Sequence, residues 1–183
     1  YVDSYFGTNV WGGGKFKRST GSSATINNGT VFAANGSGRW LRVDTGYATN
    51  VFLMDWFGVV PNGAIDSFAA AQATINATPT TEGRTILPPY NFAVGQTLWF
   101  TNRRSSYFGS LDVAKVRSSG YRNYPNPTSV IHWMGVSGGT NLVAYDSGHN
   151  TFAGFGLDTR IGLNNGDQYT NAAGLLFDVD MYP

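Results

Sequence analysis

Beyond Pro79 every apolar run is short and is set off from the next by turn-forming residues. Arg84-Thr85-Ile86-Leu87 leads into Pro88-Pro89, followed by Phe92-Ala93-Val94 and Thr97-Leu98-Trp99-Phe100. Further strand-like runs cover residues 113–116, 129–134, 141–145, 150–155 and 175–179, with Gly, Asn, Ser or Asp between most of them. Strands that succeed one another without helices leave a sandwich, a barrel or a solenoid. The 87 residues from 97 to 183 make three to four coils at a solenoid period of roughly 20–25 residues, near the minimum for a stable stack.

Composition supports an all-β chain. Charged residues are 13% of 183, about half the usual share, and 24 glycines accompany 15% aromatics. Disorder needs low hydrophobicity and high net charge, and neither holds here. A net charge of +1 gives no long-range attraction to nucleic acid. No apolar run approaches the ~18 residues of a membrane span, so no membrane insertion is expected. Without Cys there are no disulfides, no thiolate nucleophile and no Cys-ligated zinc. His132 and His149 are too few and too isolated for a His-based metal site; no metal and no cofactor is expected.

The first fifty residues read as a small β domain of short strands between glycine clusters. Lys15-Phe16-Lys17 follows Gly12-Gly13-Gly14, Thr30-Val31-Phe32 follows an Asn-Gly turn signal, and Trp40-Leu41-Arg42-Val43 alternates as a half-buried strand does. The run Val51-Phe52-Leu53-Met54-Asp55-Trp56-Phe57 predicts a strand ended by Gly58. One helix is predicted, over 67–77: Asp66 caps it, Phe68, Ala71, Gln72 and Ile75 share one stripe, and Pro79 closes it. Its single narrow apolar stripe predicts that it lies over the end of a β structure. The chain stops at Pro183 directly after a strand-like run, which predicts a segment of something longer. Residues 51–183 are then the helix and the start of the solenoid.

Asp55-Trp56-Phe57-Gly58, the polar turn and helix from Asn62 to Gln72, and Gly83-Arg84-Thr85-Ile86-Leu87-Pro88-Pro89-Tyr90-Asn91-Phe92 resemble the opening of pectate-lyase-like right-handed parallel β-helices. The runs 131–136 and 149–155 are similar to later coil strands of that family. Upstream, Gly12–Lys17, Asn28–Phe32 and Gly38–Val43 resemble the small N-terminal domain of bacteriophage tail spikes. The resemblance covers residues 12–92, with further support to 155. The loop Val59-Val60-Pro61-Asn62-Gly63-Ala64 lacks the family's acidic richness, and Tyr90 stands where its Pro-Pro-Gly has glycine.

That resemblance implies a virion protein of the phage tail that attaches to bacterial surface polysaccharide, acts at the host surface during adsorption, and assembles as a homotrimer with other tail or baseplate proteins. It also implies that a member of the family can be a depolymerase, by hydrolysis or by elimination. Hydrolysis needs two carboxylates about 5–9.5 Å apart, and stacked coils about 4.8 Å apart supply such spacings. The acids weighed for that role are Asp146, Asp158, Asp178 and Asp180; Asp178 and Asp180, two apart in a strand, share a face. Residues 103–122 carry a net charge of +4, and Arg103 and Arg104 with Tyr107 are the expected grip on an anionic sugar. Competing expectations are a monomeric secreted polysaccharide lyase or glycoside hydrolase, and a purely structural virion protein.

Overall fold

The computed structural model describes residues 2–4, 12–43, 50–61, 63–80, 82–100, 105–109, 111–112, 126–127, 129–134, 142–145, 151–153, 155–158 and 176–178. The chain begins with antiparallel pieces: Val2–Ser4 (β1) pairs with Gly12–Gly14 (β2). Phe16–Ser19 (β3), Val31–Ala33 (β4) and Arg39–Arg42 (β5) form a sheet in the order β3-β5-β4. The Asn-Gly turn starts β4 as expected. Asn27 Oδ1 accepts the N–H groups of Gly29, Thr30 and Val31 at 2.9–3.1 Å, and Asn28 takes a φ of 58°.

On this sheet Arg42 does the joining. Its guanidinium lies 4.8 Å from the Phe16 ring centre and 4.5 Å from that of Trp56, a cation between two aromatic faces. Nε and Nη1 donate to the carbonyls of Gly29 at 3.0 Å and Gly13 at 2.8 Å. The antiparallel sheet is thereby fixed to the segment that opens the parallel part of the chain.

That segment departs from the strand predicted over 51–57. Val51–Leu53 (β6) is a strand, but Met54–Phe57 forms one turn of 3-10 helix. Met54, Trp56 and Phe57 are all buried. A strand would turn neighbours 56 and 57 to opposite faces, whereas a 3-10 turn places 54 and 57 on one side. Gly58 ends the turn at a φ of 91°, a backbone state that side chains disfavour.

The helix α1 runs from Phe68 to Ala77, one residue shorter than predicted. Asp66 Oδ1 accepts the Phe68 N–H at 2.8 Å, as its capping role required, and also the Gly95 N–H at 2.9 Å. One carboxylate thus holds both the helix start and a strand corner.

After α1 the chain winds. Arg84–Ile86 (β7), Asn91–Val94 (β8) and Leu98–Phe100 (β9) are three sides of a first coil. Ser106–Phe108 (β10) returns beside β7, with Ser106 in register with Arg84, 22 residues earlier. Leu111–Asp112 (β11) pairs antiparallel with Asn126–Pro127 (β12) as an excursion. Ser129–Trp133 (β13) and Leu142–Tyr145 (β14) complete the second coil. Thr151–Ala153 (β15), Phe155–Asp158 (β16) and Leu176–Asp178 (β17) make the third. Three parallel sheets result, in the orders β6-β7-β10-β15, β8-β13-β16 and β9-β14-β17. The first coil has the expected period. The second spans 45 residues from Ser106 to Thr151, because it carries the β11–β12 excursion. The run 150–155, expected as one strand, is shared between β15 and β16, which belong to different sheets of the three-sided coil. The strand expected at 113–116 lies outside the described residues.

Inside the coil, Met54, Val59, Leu87, Phe92, Val94, Leu98, Phe100, Tyr107, Ile131 and Trp133 form one buried cluster with Ala71 and Ile75 of the helix. Helix α1 therefore sits over the end of the β structure, as its single stripe predicted. It also covers exposed strand edges, which otherwise recruit foreign strands. Gln72 behaves as a strand residue: Oε1 accepts the Trp99 N–H at 2.8 Å and Nε2 donates to the Trp99 carbonyl at 2.9 Å. Asp66 forms a parallel bridge with Ala93 on the neighbouring sheet. Gln72→Ala is expected to cost about 1–3 kcal/mol, because it removes two hydrogen bonds to the β9 backbone. Chemical denaturation, with Gln72→Glu as a half-satisfied comparison, checks this.

Candidate functional site

The parallel stacking fixes which side chains share a ladder. Sheet β8-β13-β16 aligns Phe92 with Ile131 and Ala93 with His132, and His132 with Asp158. Ile131 and Trp133 are buried and His132 between them is half-buried, so the core-facing and outward ladders alternate along β13. The turn before α1 approaches this outward ladder: a β-carbon on Gly63 would lie 3.9 Å from His132 Cδ2 and from Ala93 Cβ. His132 occupies that place. In sheet β9-β14-β17, Phe100 aligns with Ala144 and Phe177, Trp99 with Val143 and Leu176, and Tyr145 with Asp178. Trp99 is 45% exposed.

The register separates the expected acids. Asp158 closes β16 and Asp178 closes β17, so both belong to the third coil but to different sheets. Neither is aligned with another acid: the second-coil partner of Asp158 is His132 and that of Asp178 is Tyr145. The coil stacking that was to bring two carboxylates together instead brings a carboxylate position beside a histidine. Sequence spacing hid that juxtaposition, because 26 residues separate the two positions and only the return of the chain to the same sheet sets their register. Asp146, Asp180, Arg103 and Arg104 lie outside the described residues.

Tyr107 corrects its expected role. The sequence expects a sugar-gripping side chain, but the residue is 0% exposed and sits in the inward ladder Phe52–Thr85–Tyr107–Phe152. Its ring stacks on Phe152 at 5.0 Å between centres and meets Phe100 edge-on at 4.5 Å. A ring so enclosed reaches no glycan. Its hydroxyl is buried without a hydrogen-bond partner among the described residues. Burial pushes the phenol up to about 12, and the approach of Ser105, short of hydrogen-bond geometry, offsets part of that rise.

The other strongly perturbed groups form a pair at the opening of the coil. Tyr90, on the turn between β7 and β8, donates to Asp55 Oδ1 of the 3-10 turn and lies 3.1 Å from the Val59 carbonyl. Burial raises the Asp55 carboxyl above its usual range, against the lowering effect of the Tyr90 bond. Tyr90 is raised as well, first by burial and then by the neighbouring carboxylate. Perturbed acid–phenol pairs often mark active sites, but here both partners spend their bonds on joining the 3-10 turn to the β7–β8 turn. The pair is a latch in the scaffold. Among the described residues no cluster of three metal-ligating side chains occurs.

A helix-capped parallel coil of three sheets behind a small antiparallel sheet is the architecture of these residues, and it is all-β apart from α1 and the 3-10 turn. No protein-family model matches the chain. Over 62 residues, 34% of the chain, it is 48% identical to a capsule K2-specific depolymerase of Klebsiella phage vB_KpnP_KpV74. Its fold is similar to that of full-length tailspike protein 2 from Escherichia coli O157:H7 bacteriophage CAB120, with a TM-score of 0.59 and 20% identity over 93% of the chain. It is similar too to the enzymatically active domain of tailspike protein 2 of bacteriophage CBA120, with a TM-score of 0.53 and 19% identity over 93% of the chain. The chain spans 10% of the depolymerase and 20% and 25% of the two tailspike structures. The resemblance to phage tail spikes and capsule depolymerases read from the sequence is thus matched by relatives of both names.

Proposed function

We propose that this chain serves in a bacteriophage tail spike that attaches the virion to bacterial surface polysaccharide and depolymerises it. The observation that supports this most is the 62-residue stretch 48% identical to a capsule depolymerase; the capped three-sheet coil agrees with it. In this reading residues 12–100 build and close the scaffold. Glycan contacts then come from the outward ladders and connections of the later coils, where Asp146, Asp158, Asp178 and Asp180 are the carboxylates to be tried and Arg103 and Arg104 the cations. The spike works as a homotrimer, held by other tail or baseplate proteins and acting at the host surface.

The test is incubation of the chain with acidic and neutral bacterial capsules, the K2 type included. Chain length, new reducing ends and ultraviolet absorbance from new double bonds are followed. Shortened capsule is the expected result, with absorbance marking elimination and its absence hydrolysis. Capsule of unchanged length would assign these residues to the scaffold alone. Light scattering at three times the 19.7 kDa chain mass separates the tail-spike reading from a monomeric secreted lyase.

A further inference from the structure

Charge is unevenly divided along this chain. Residues 12–43 contain Lys15, Lys17, Arg18, Arg39 and Arg42 and no acid, a net of +5, while the rest of the chain carries −4. Arg18 and Arg39 are held by carbonyls, not carboxylates: Arg18 Nη2 donates to Asn35 O at 3.0 Å, and Arg39 to Ala24 O at 2.9 Å and Gly38 O at 2.8 Å. In the small sheet the charges of Arg18 and Arg39 are therefore met by neutral acceptors.

One face of that sheet gives the charge a defined place. Arg18, Trp40 and Phe32 are directly opposed across β3, β5 and β4, so they form one row on one face. Trp40 is 41% exposed and Arg18 is exposed beside it. The bond to Asn35 orients the guanidinium and uses one of its five N–H donors. Among the described residues, a β-carbon on Gly36 in the adjoining turn would meet Arg18 Nη2 at 4.0 Å.

We propose that the Arg18–Trp40 row of the N-terminal sheet is a binding site for acidic polysaccharide, separate from the coil ladders. The indole offers an apolar platform for the face of a pyranose ring, and the guanidinium beside it takes a uronic-acid carboxylate through paired N–H bonds. Size favours a sugar over a protein surface. The row crosses three strands, about 10 Å at the usual strand spacing. The other end of the same face is already closed by Arg42 and Phe16 against Trp56. A standard protein interface needs about 800 Å² per partner. The proposal rests on the glycan-binding reading only for the class of its ligand.

Titration calorimetry of the whole chain with alginate oligosaccharides, neutral dextran oligosaccharides and poly-L-glutamate tests it. Alginate is expected to bind with an affinity that falls as salt rises, and dextran at least 10-fold more weakly. Arg18→Gln and Trp40→Ala are each expected to weaken alginate binding at least 10-fold, while Trp40→Tyr, which keeps a stacking ring, retains most of it. Trp40→Ala should leave poly-L-glutamate binding unchanged. An equal loss for poly-L-glutamate would overturn the sugar site in favour of an acidic protein partner. No alginate binding, or binding indifferent to both substitutions, also overturns it. Capsule cleavage, followed in the same variants, reports on the depolymerase reading independently, since both residues belong to the antiparallel sheet and not to the coil strands.

Discussion

Tyr107→Ala is expected to destabilise the protein by about 3–5 kcal/mol, the cost of removing a large buried aromatic side chain. For a chain of this size that is a fall in melting temperature of roughly 6–20 °C. The residue is fully buried, and its ring is the hinge of a cluster in which Phe100 and Phe152 both lean on it. Tyr107→Phe keeps those contacts and removes a hydroxyl that has no partner among the described residues, so it is expected to be neutral or stabilising at pH 7. The two variants differ again in alkali. The folded chain holds the Tyr107 proton up to about 12, against a reference near 10 in the unfolded chain. Protons are thus bound more tightly by the folded state between those values, and stability falls as pH rises through that window. Two pH units correspond to roughly 3 kcal/mol. Urea unfolding from pH 9 to 12 should show this fall in the native chain and less of it in Tyr107→Phe. Equal slopes would mean that the phenol is not enclosed as described.

Tyr90→Phe is the second large effect, expected to cost about 1.5–3 kcal/mol at neutral pH, because a hydrogen bond to a carboxylate is lost and the acceptor stays enclosed. The bond joins Asp55 of the 3-10 turn to the turn between β7 and β8, so the variant loosens the place where the coil begins. The sign with pH follows from Asp55. Its folded carboxyl is raised above the unfolded value of 3.8 by burial, so the folded state prefers the acid form. That contribution to stability is fully present below the unfolded value and is lost as pH rises through the folded one. Removing Tyr90 takes away the influence that lowers the carboxyl and pushes it higher still. The variant's deficit should therefore be greatest at pH 7 and shrink toward pH 4. A deficit that grows in acid would rule out this account of the latch.

Both effects sit on residues that the sequence made visible without showing their roles. Tyr90 was conspicuous because it stands where the family's opening coil has glycine, and the structure gives it a use that glycine could not have. Tyr107 was conspicuous as an aromatic next to Arg103 and Arg104, and that neighbourhood suggested a surface. Sequence distance misled there, since a strand alternates its faces and residues 101–104 do not fix which face position 107 takes.

The sequence by itself determined the fold class, the single helix with its Asp66 cap, most strand positions and the resemblance to tail spikes. These rest on local signals, namely periodicity, turn residues and capping groups, which act within a few residues. It could not determine register. The tertiary structure decided that Asp158 is in register with His132 across coils, that Asp178 is in register with Tyr145, that Tyr107 belongs to the core and that Gln72 completes a strand edge. The alignments between coils depend on how many residues a coil consumes before the chain returns to the same side. The second coil, with its added excursion, uses 45 residues where the first uses 22. No local pattern records that length, because it is set by the closure of hydrogen bonds between strands that meet only in the folded chain.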